Sequence, residues 1–574
     1  MKNQVLAKIL NEIADYLSTE ETAFKPYAYQ RAALSIESLK DDVGDIYRAG
    51  GIKALEEIPG VGKSIAEKIE EYIKTGKIKY HQQLKKRLPL DIEGIIAVEG
   101  MGPKKAKALY QKLGVRDVKD LEKAAKQHKI ASLFGFGEKT EKNILESITF
   151  LKRNKGRFLL GEIFPKVKEV FDELSVLEDV ENISLAGSVR RREETIGDVD
   201  FLVISKNPER IMDYFVSLPG VVKIWGKGRT KSSVRTAEGF DMDIRVVPAK
   251  SYGAALQYFT GSKEHNIVVR TIAMNKGLKL SEYSLFKGQR MIASETEEEI
   301  YKILGMQTPP PEIRENKGEI EAAIQGKLPK LIEQRDIKGD LHCHSDWDGG
   351  ANSVLELAKA AKEMSYEYIG ISDHTKFLRI EKGLNEQQLL RQSKEIKKIN
   401  DKFRTSRSKF CILHGCEANI MPNGSIDIKD EVLQGLDYVI AGVHSSLKMD
   451  KTKMTDRIIN AMKNPNVDII SHPTGRLINR RDEYRMDFDK ILKVAKETET
   501  ILEINSSPVR LDLKDQDIRY AKEVGVKMII NTDSHHKDQL RFMEFGVSQA
   551  RRGWAEKKDI INTNSVEELL KFFE

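Results

Sequence analysis

Eight of the 11 histidines in this 574-residue chain lie beyond residue 340: His342, His344, His374, His414, His444, His472, His535 and His536. Seven short apolar segments run through the same region: "GDLHCHS", "YIGISDH", "FCILHGCEANI", "YVIAGVHSS", "DIISHP", "ILEINSS" and "KMIINTDSH". Each has the length of a strand, and helix-length stretches separate them. Their C-terminal ends carry His342 and His344, then His374, Glu417, His444, His472, Asn505, and finally Asp533 and His535. Barrels of alternating strands and helices gather their active sites at that end of the strands. The pattern predicts a distorted, seven-stranded (β/α) barrel over residues 337–574, one unit short of the usual eight. A single histidine at a strand end is more often a hydrogen-bonded core residue. Ligand-type groups on six of seven strands are not explained that way.

Eight such ligands (His342, His344, His374, Glu417, His444, His472, Asp533 and His535) exceed one ion's needs. Two or three ions are expected, with Glu417 and Asp533 as bridges. Mixed imidazole and carboxylate ligation suits Zn²⁺, Mn²⁺ or Fe better than Mg²⁺. Such a cluster makes hydroxide near neutral pH and clamps a phosphodiester. The chain is too long for one core, so three or more domains are expected. No apolar run is long enough to span a bilayer, and no signal-peptide pattern opens the chain. Cys343, Cys411 and Cys416 do not make a disulfide framework, which points to a reducing cytoplasm. The net charge of +7 is compatible with a polyanionic partner.

A second cluster of chemistry lies in "AGSVRRREETIGDVDFLV", residues 186–203. Strand alternation puts Asp198 and Asp200 on one face, where like charges repel unless a cation sits between them. Asp243, in "FDMDIRVV", lies on another expected strand, with Asp241 on its face. Three converging carboxylates would bind two Mg²⁺ ions, hard cations that prefer oxygen. Such a pair clamps the attacking and leaving oxygens of a phosphoryl transfer. Gly187 and Ser188 let a triphosphate approach the backbone, and Arg191 neutralises its charge. The alternative is a surface turn with arginine–aspartate pairs.

Residues 1–150 read as helical, with three similar segments: "IPGVGKSIAEKIEEYI", "VEGMGPKKAKALYQKL" and "LFGFGEKTEKNILESI". Each places Gly-x-Gly before an amphipathic helix: Gly60 and Gly62, Gly100 and Gly102, Gly135 and Gly137. The turn aims backbone N–H groups at a helix start, which suits a phosphate oxygen. Lys63, Lys104 and Lys139 follow, as expected of a nucleic-acid binder. These segments resemble helix-hairpin-helix motifs, which grip the DNA backbone without reading sequence.

"GSVRR", "GDVD" and "DIRVV" together resemble the nucleotidyltransferase core of the family X DNA polymerases. The resemblance places Asp198, Asp200 and Asp243 as metal ligands. It puts Gly187, Ser188, Arg191 and Gly197 at the nucleotide. "YFTGSKEHNIVVR" is similar to the family's segment against the incoming sugar. That implies roles for Tyr258, Phe259 and Gly261 near the ribose, and for Asn266 and Arg270 at the minor-groove edge of the nascent pair. "GVGKSIAEKI" resembles the lyase domain of a vertebrate repair polymerase of this family, with Lys68 on its Schiff-base lysine. Ser64 stands where that relative has a second lysine, and an ordinary solvated lysine is the other reading of Lys68. A Schiff-base lysine needs a lowered pKa, which Lys63 and Arg31 would supply.

The C-terminal pattern resembles the polymerase and histidinol phosphatase (PHP) superfamily. That family has an aspartate five residues after the second histidine. Here Gly349 occupies that place, and Asp348, one earlier, is expected to serve instead. His414 and His536 fall outside the pattern.

The resulting expectation is a multidomain chain. A helical DNA-binding, lyase-like domain spans 1–80, fingers 81–154, an α+β nucleotidyltransferase palm 155–249 and a thumb 250–318. A linker spans 319–336 and the PHP barrel 337–574. The implied protein is a monomeric gap-filling repair polymerase acting on gapped or primer–template DNA and dNTP. Its second site would be a 3′–5′ exonuclease, with abasic-site cleavage or 3′-phosphatase activity as further options. A small-molecule nucleotidyltransferase fused to a phosphatase, and a non-catalytic DNA-end scaffold, are the alternatives.

Overall fold

The computed structural model describes residues 2–20, 25–39, 42–96, 98, 101–153, 156–405 and 410–573. The first helix, Lys2–Ser18, buries Leu6, Leu10, Ile13 and Leu17, spaced to form one stripe. That stripe packs in one cluster with Ala32, Ala33 and Ile36 of the next helix, Lys25–Ser38. The same apolar cluster continues through Ile144 and Ile148, so all the glycine turns hang on one helical core. Gly62 caps helix Lys63–Thr75 and Gly102 caps helix Pro103–Leu113, both without a side-chain cap. Gly137 precedes helix Glu138–Arg153. Nothing stands within 4 Å of where a Cβ would sit on Gly62, Gly102, Gly135 or Gly137. The fronts of these turns are therefore open. Gly60 instead packs on the Arg31 side chain, and Gly100 lies outside the described residues.

The palm is a five-stranded mixed sheet. Its order is Val180–Leu185, Asp198–Ser205, Asp241–Val246, Lys231–Thr236 and Val221–Lys227. Val199, Phe201 and Val203 alternate onto one face beneath helices Leu160–Ser175 and Pro208–Val216. Alternation leaves the acidic residues on the opposite face. The thumb adds helices Tyr252–Thr260 and Lys263–Asn275 and a small three-stranded sheet.

The C-terminal segments form two parallel sheets. "FCILHGCEANI" splits at Gly415–Cys416 into strands Cys411–His414 and Glu417–Asn419, one in each sheet. Parallel bridges His374–Glu417 and Cys343–Ser534 join the sheets at both seams, closing a distorted barrel. The charge-dense stretch expected as a linker is packed. Helix Glu319–Ile324 buries Ile320 and Ala323 against the thumb, and Ile332 enters the barrel core. Among the described residues, no helix is long and apolar enough to cross a membrane.

Candidate active sites

In the palm, strands Asp198–Ser205 and Asp241–Val246 run parallel and pair Asp198 with Asp241 and Asp200 with Asp243. Four carboxylates thus share one face, but they are not equivalent. Arg235 grips Asp241 with two hydrogen bonds of 2.7 Å, and Trp225 Nε1 donates a third at 2.8 Å. That leaves Asp198, Asp200 and Asp243 as the acidic trio, with Lys231 Nζ 3.1 Å from Asp243 and Arg245 lining the same cavity. Burial, then the Asp198 and Asp243 charges, push the Asp200 carboxyl up to about 7. A carboxylate this reluctant to ionise marks a place where a cation would be stabilised.

Gly187 has φ of +58° and crowds Asp200 so closely that any Cβ would overlap its carboxylate. The turn from strand Val180–Leu185 into helix Gly187–Arg190 therefore lies against the trio, bringing Ser188 with it. Arg191 is buried. It donates to the Thr260 carbonyl at 2.5 Å and pairs with Glu193 and with Glu315, the latter at 3.1 Å. Gly261 packs on the same guanidinium. Tyr258 lies under the Arg270 guanidinium, and Asn266 donates to the Tyr258 carbonyl at 2.7 Å. Phe259 lines a small cavity with Asp200, Lys231, Asp243 and Arg245. Gly197 sits next to Asp198, near the Arg157 side chain.

In the barrel, the eight expected ligands come together around Glu417. Its Oε1 lies 3.0 Å from His472 and 3.2 Å from His444; its Oε2 lies 2.8 Å from His374 and 3.4 Å from His342. Asp533 Oδ1 lies 3.4 Å from His344 and 3.7 Å from His342. Among the described residues four overlapping groups have ligand atoms close enough to share an ion: His344–His374–His535, His342–His344–Asp533, His374–Glu417–His444 and His344–Asp348–Asp373. Buried polar atoms normally find partners. Here Nε2 of His342, His344 and His444, Nδ1 of His374 and Oε2 of Glu417 have none with hydrogen-bond geometry. The residues fit a metal cluster, because coordination is what such orphaned donors lack. His472 and Asp533 hold left-handed backbone, φ +28° and +55°, a strain tolerated where surroundings over-determine the site.

The far ring nitrogens explain residues that sequence reasoning missed. Glu503, fully buried, accepts from His342 Nδ1 at 2.7 Å and also from His472 N at 2.8 Å. Asn419 takes His444 Nδ1 at 2.8 Å. An acid in the middle of "ILEINSS" was the available signal for Glu503. Despite burial, Glu503, Glu417 and Asp533 hold His342 well above the usual imidazole range. Burial pushes His444 and His535 down to about 4, leaving them neutral for ligation.

Asp348 reaches this cluster from behind. It accepts from His344 Nδ1 at 2.8 Å, from the His374 backbone at 2.9 Å and from the Gly350 backbone at 2.9 Å. These bonds place Asp348, expected as an ion ligand, on the nitrogen of His344 that faces away from Asp533, and its carboxylate also groups with His344 and Asp373 within reach of one ion. His414 bonds Gln392, and His536 caps the 3₁₀ turn Lys537–Phe542, so neither faces the cluster. In the N-terminal helices, Lys68 Nζ donates to both oxygens of Ser64 at 3.0 Å and lies over the Tyr80 ring.

Comparison with known proteins agrees with this geometry. Residues 1–78 match the helix-hairpin-helix domain, 92–149 the SAM-like helix-hairpin-helix tandem, 255–315 the DNA polymerase beta thumb and 340–507 the PHP domain. Over its full length the chain is 36% identical to the DNA polymerase/3′-5′ exonuclease PolX of Bacillus subtilis, covering 99% of that protein. The chain belongs to the family X DNA polymerases. Its PHP part is also 32% identical, over 206 residues, to a protein of Clostridium acetobutylicum described as a probable phosphatase. That match covers 34% of this chain and 78% of the relative. Membership of family X, in a form with a C-terminal PHP domain, accounts for two acidic centres on one DNA-gripping chain.

Proposed function

We propose that this family X polymerase extends primers across gaps in duplex DNA, and that its barrel removes nucleotides from 3′ ends. The observation that carries the reading is the in-register pairing of Asp200 with Asp243 beside Gly187, in a chain alignable end to end with a polymerase/exonuclease. Asp198, Asp200 and Asp243 would hold two Mg²⁺ ions. These would supply charge neutralisation at the attacking and leaving oxygens. The chain's own residues position the reactants. The Gly187–Ser188 turn presents backbone to the triphosphate. Arg191 exchanges Glu193 and Glu315 for phosphate oxygens. Tyr258, Phe259 and Gly261 bound the sugar, and Asn266 and Arg270 meet the nascent pair's edge. The open glycine turns, with Gly60, Lys63 and Lys104, hold the flanking duplex and favour DNA over a small acceptor.

In the barrel, His342, His344, His374, Glu417, His444, His472, Asp533 and His535 would hold two or three Mn²⁺ or Zn²⁺ ions. They would supply a hydroxide and clamp a phosphodiester. Glu503, Asn419 and Asp348 fix the rings that face that cluster. Asp348 is read as an orienting carboxylate and Lys68 as a solvated lysine. The domain divisions follow the sequence expectation except at 319–336, which packs on thumb and barrel; the enzyme acts as a monomer, and its free cysteines suit a reducing cytoplasm.

The two centres are separable by mutation. Asp243→Ala should lower primer extension by about 10³-fold or more while 3′–5′ degradation persists. His344→Ala should do the reverse. Loss of both activities in either folded variant would refute two independent sites.

A further inference from the structure

The palm sheet carries an exposed aromatic that the site above does not use. The edge strand Val221–Lys227 is exposed along nearly its whole length, and Trp225 is 49% exposed on it. Two irregularities interrupt its pairing with Lys231–Thr236, one between Ile224 and Gly226. Bulges near active sites re-aim side chains. Here the irregularity leaves Trp225 on the face of the acidic trio, where its Nε1 bonds Asp241. Register then defines a row across four strands: Asp198, Asp241, Arg235 and Lys223. Lys223 Nζ lies 3.7 Å from the Trp225 ring centre, and the Arg235 guanidinium 5.2 Å from it.

Direction follows from topology. The Gly187–Ser188 turn enters from the strand at the opposite edge of the sheet, beyond Asp198 and Asp200. In-line transfer puts the triphosphate and the attacking hydroxyl on opposite sides of the reacting phosphorus. A strand whose 3′ end meets Asp243 must therefore leave across Lys231–Thr236 and Val221–Lys227. Trp225 lies two strand spacings from Asp243's strand, about 10 Å. That is the reach of the first few nucleotides behind a 3′ end. Lys223 gives this track charge that phosphates require, with Lys231 and Arg235 beside it, paired to Asp243 and Asp241.

We infer that Trp225, flanked by Lys223 and Arg235, is a contact platform for the primer strand just upstream of its 3′ end. The ring packs on a deoxyribose or base, and the cations meet the adjoining phosphates. Trp225 is a positioning residue: it acts on where the 3′ end rests, not on the reacting atoms. The bonds of Trp225 and Arg235 to Asp241 hold the platform to the strand that carries Asp243.

The inference rests on the polymerase reading, and the test separates the two. Extension of a primed template by the wild-type protein checks that reading first. Trp225→Ala should then raise KM for the primed template about tenfold, leave KM for dNTP unchanged, and be largely rescued in Trp225→Phe. The chain has three tryptophans, Trp225, Trp347 and Trp554. Primed template without dNTP should quench fluorescence in the wild type, and Trp225→Phe should remove most of that quenching. An unchanged DNA KM in folded Trp225→Ala, or equal quenching in Trp225→Phe, would overturn the platform while leaving the polymerase reading intact. A change confined to KM for dNTP would likewise overturn it.

Discussion

At the scale of single residues, the two centres handle buried charge differently. The barrel gives the rings of His342, His344, His444 and His535 a partner on the nitrogen away from the cluster, so their orientation and tautomer are set before any ion arrives. Asp348 does this for His344. Asp348→Ala should weaken metal binding by about 10- to 100-fold and slow 3′–5′ degradation, with primer extension unchanged. Metal titration against His344→Ala checks it: equal stoichiometry and affinity in Asp348→Ala and wild type would remove Asp348 from the site. The palm instead leaves its acids to repel one another. Asp200 holds its proton up to about pH 7, whereas an unfolded aspartate loses it near 3.8. The folded state then binds more protons between those values, so metal-free stability falls as pH rises through that window. In EDTA at pH 8, Asp200→Asn should melt above wild type by thermal denaturation while abolishing extension. At pH 3 the two should melt together. Lys68 is half-buried, donates to Ser64 and lies over the Tyr80 ring, with no cation among its recorded partners. Borohydride should therefore trap no covalent adduct with a 5′-deoxyribose phosphate end, and a trapped species lost in Lys68→Ala would contradict this.

At the scale of elements, both centres depend on places where backbone must come close. Gly187 joins a strand to a one-turn helix with positive φ and no room for a side chain beside Asp200. Gly187→Ala would shift the trio or the turn, and displacements of that size cost about 10²-fold in rate. On strand Ile440–Gly442, a Cβ on Gly442 would come 2.7 Å from His444 and 2.9 Å from Glu417. Gly442→Ala should therefore damage degradation and spare extension, the mirror image of Gly187→Ala. Paired assays on the two variants decide it, and a loss of the wrong activity in either would show that the crowding is relieved elsewhere.

At the scale of the molecule, palm and barrel share a core. Phe545, Leu511 and Ile478 of the barrel pack into the palm cluster, and Phe545 meets Phe164 edge-on at 6.0 Å. Arg476 pairs with Glu194 at 2.7 Å, and Arg552 reaches the Arg191 carbonyl at 2.9 Å and Glu315 at 3.1 Å. Arg191, read here as a triphosphate contact, thus shares Glu315 with an arginine of the nuclease domain. Arg31 of the N-terminal helices touches the Gly350 carbonyl, in the loop that carries Asp348. Phe545→Ala should cost about 3–5 kcal/mol, concentrated at this joint. Calorimetry should find palm and barrel melting together in the wild type and apart in the variant. A single unsplit transition in Phe545→Ala would mean that polar contacts alone hold the joint.

The sequence by itself determined which side chains were candidates to carry chemistry. Alternation put Asp198 with Asp200, spacing put glycines before three helices, and strand ends named the side chains that the barrel gathers around Glu417. Those signals are local, because the period of a strand or helix reports on residues within one element. Tertiary structure alone decided how they are used. His342 and Glu503 are 161 residues apart and meet only when the barrel closes. Asp241 shares a face with Asp243, yet a neighbouring strand supplies the Arg235 that removes it from the trio. "FCILHGCEANI" reads as one strand, but barrel closure divides it between two sheets. The stretch at 319–336 has linker composition, yet it is packed because Ile320 and Ile332 find cores on either side. Trp225 reads as an ordinary strand residue until pairing register turns it toward the catalytic face. Contacts of that kind are set by which elements become neighbours, and no single segment contains that information.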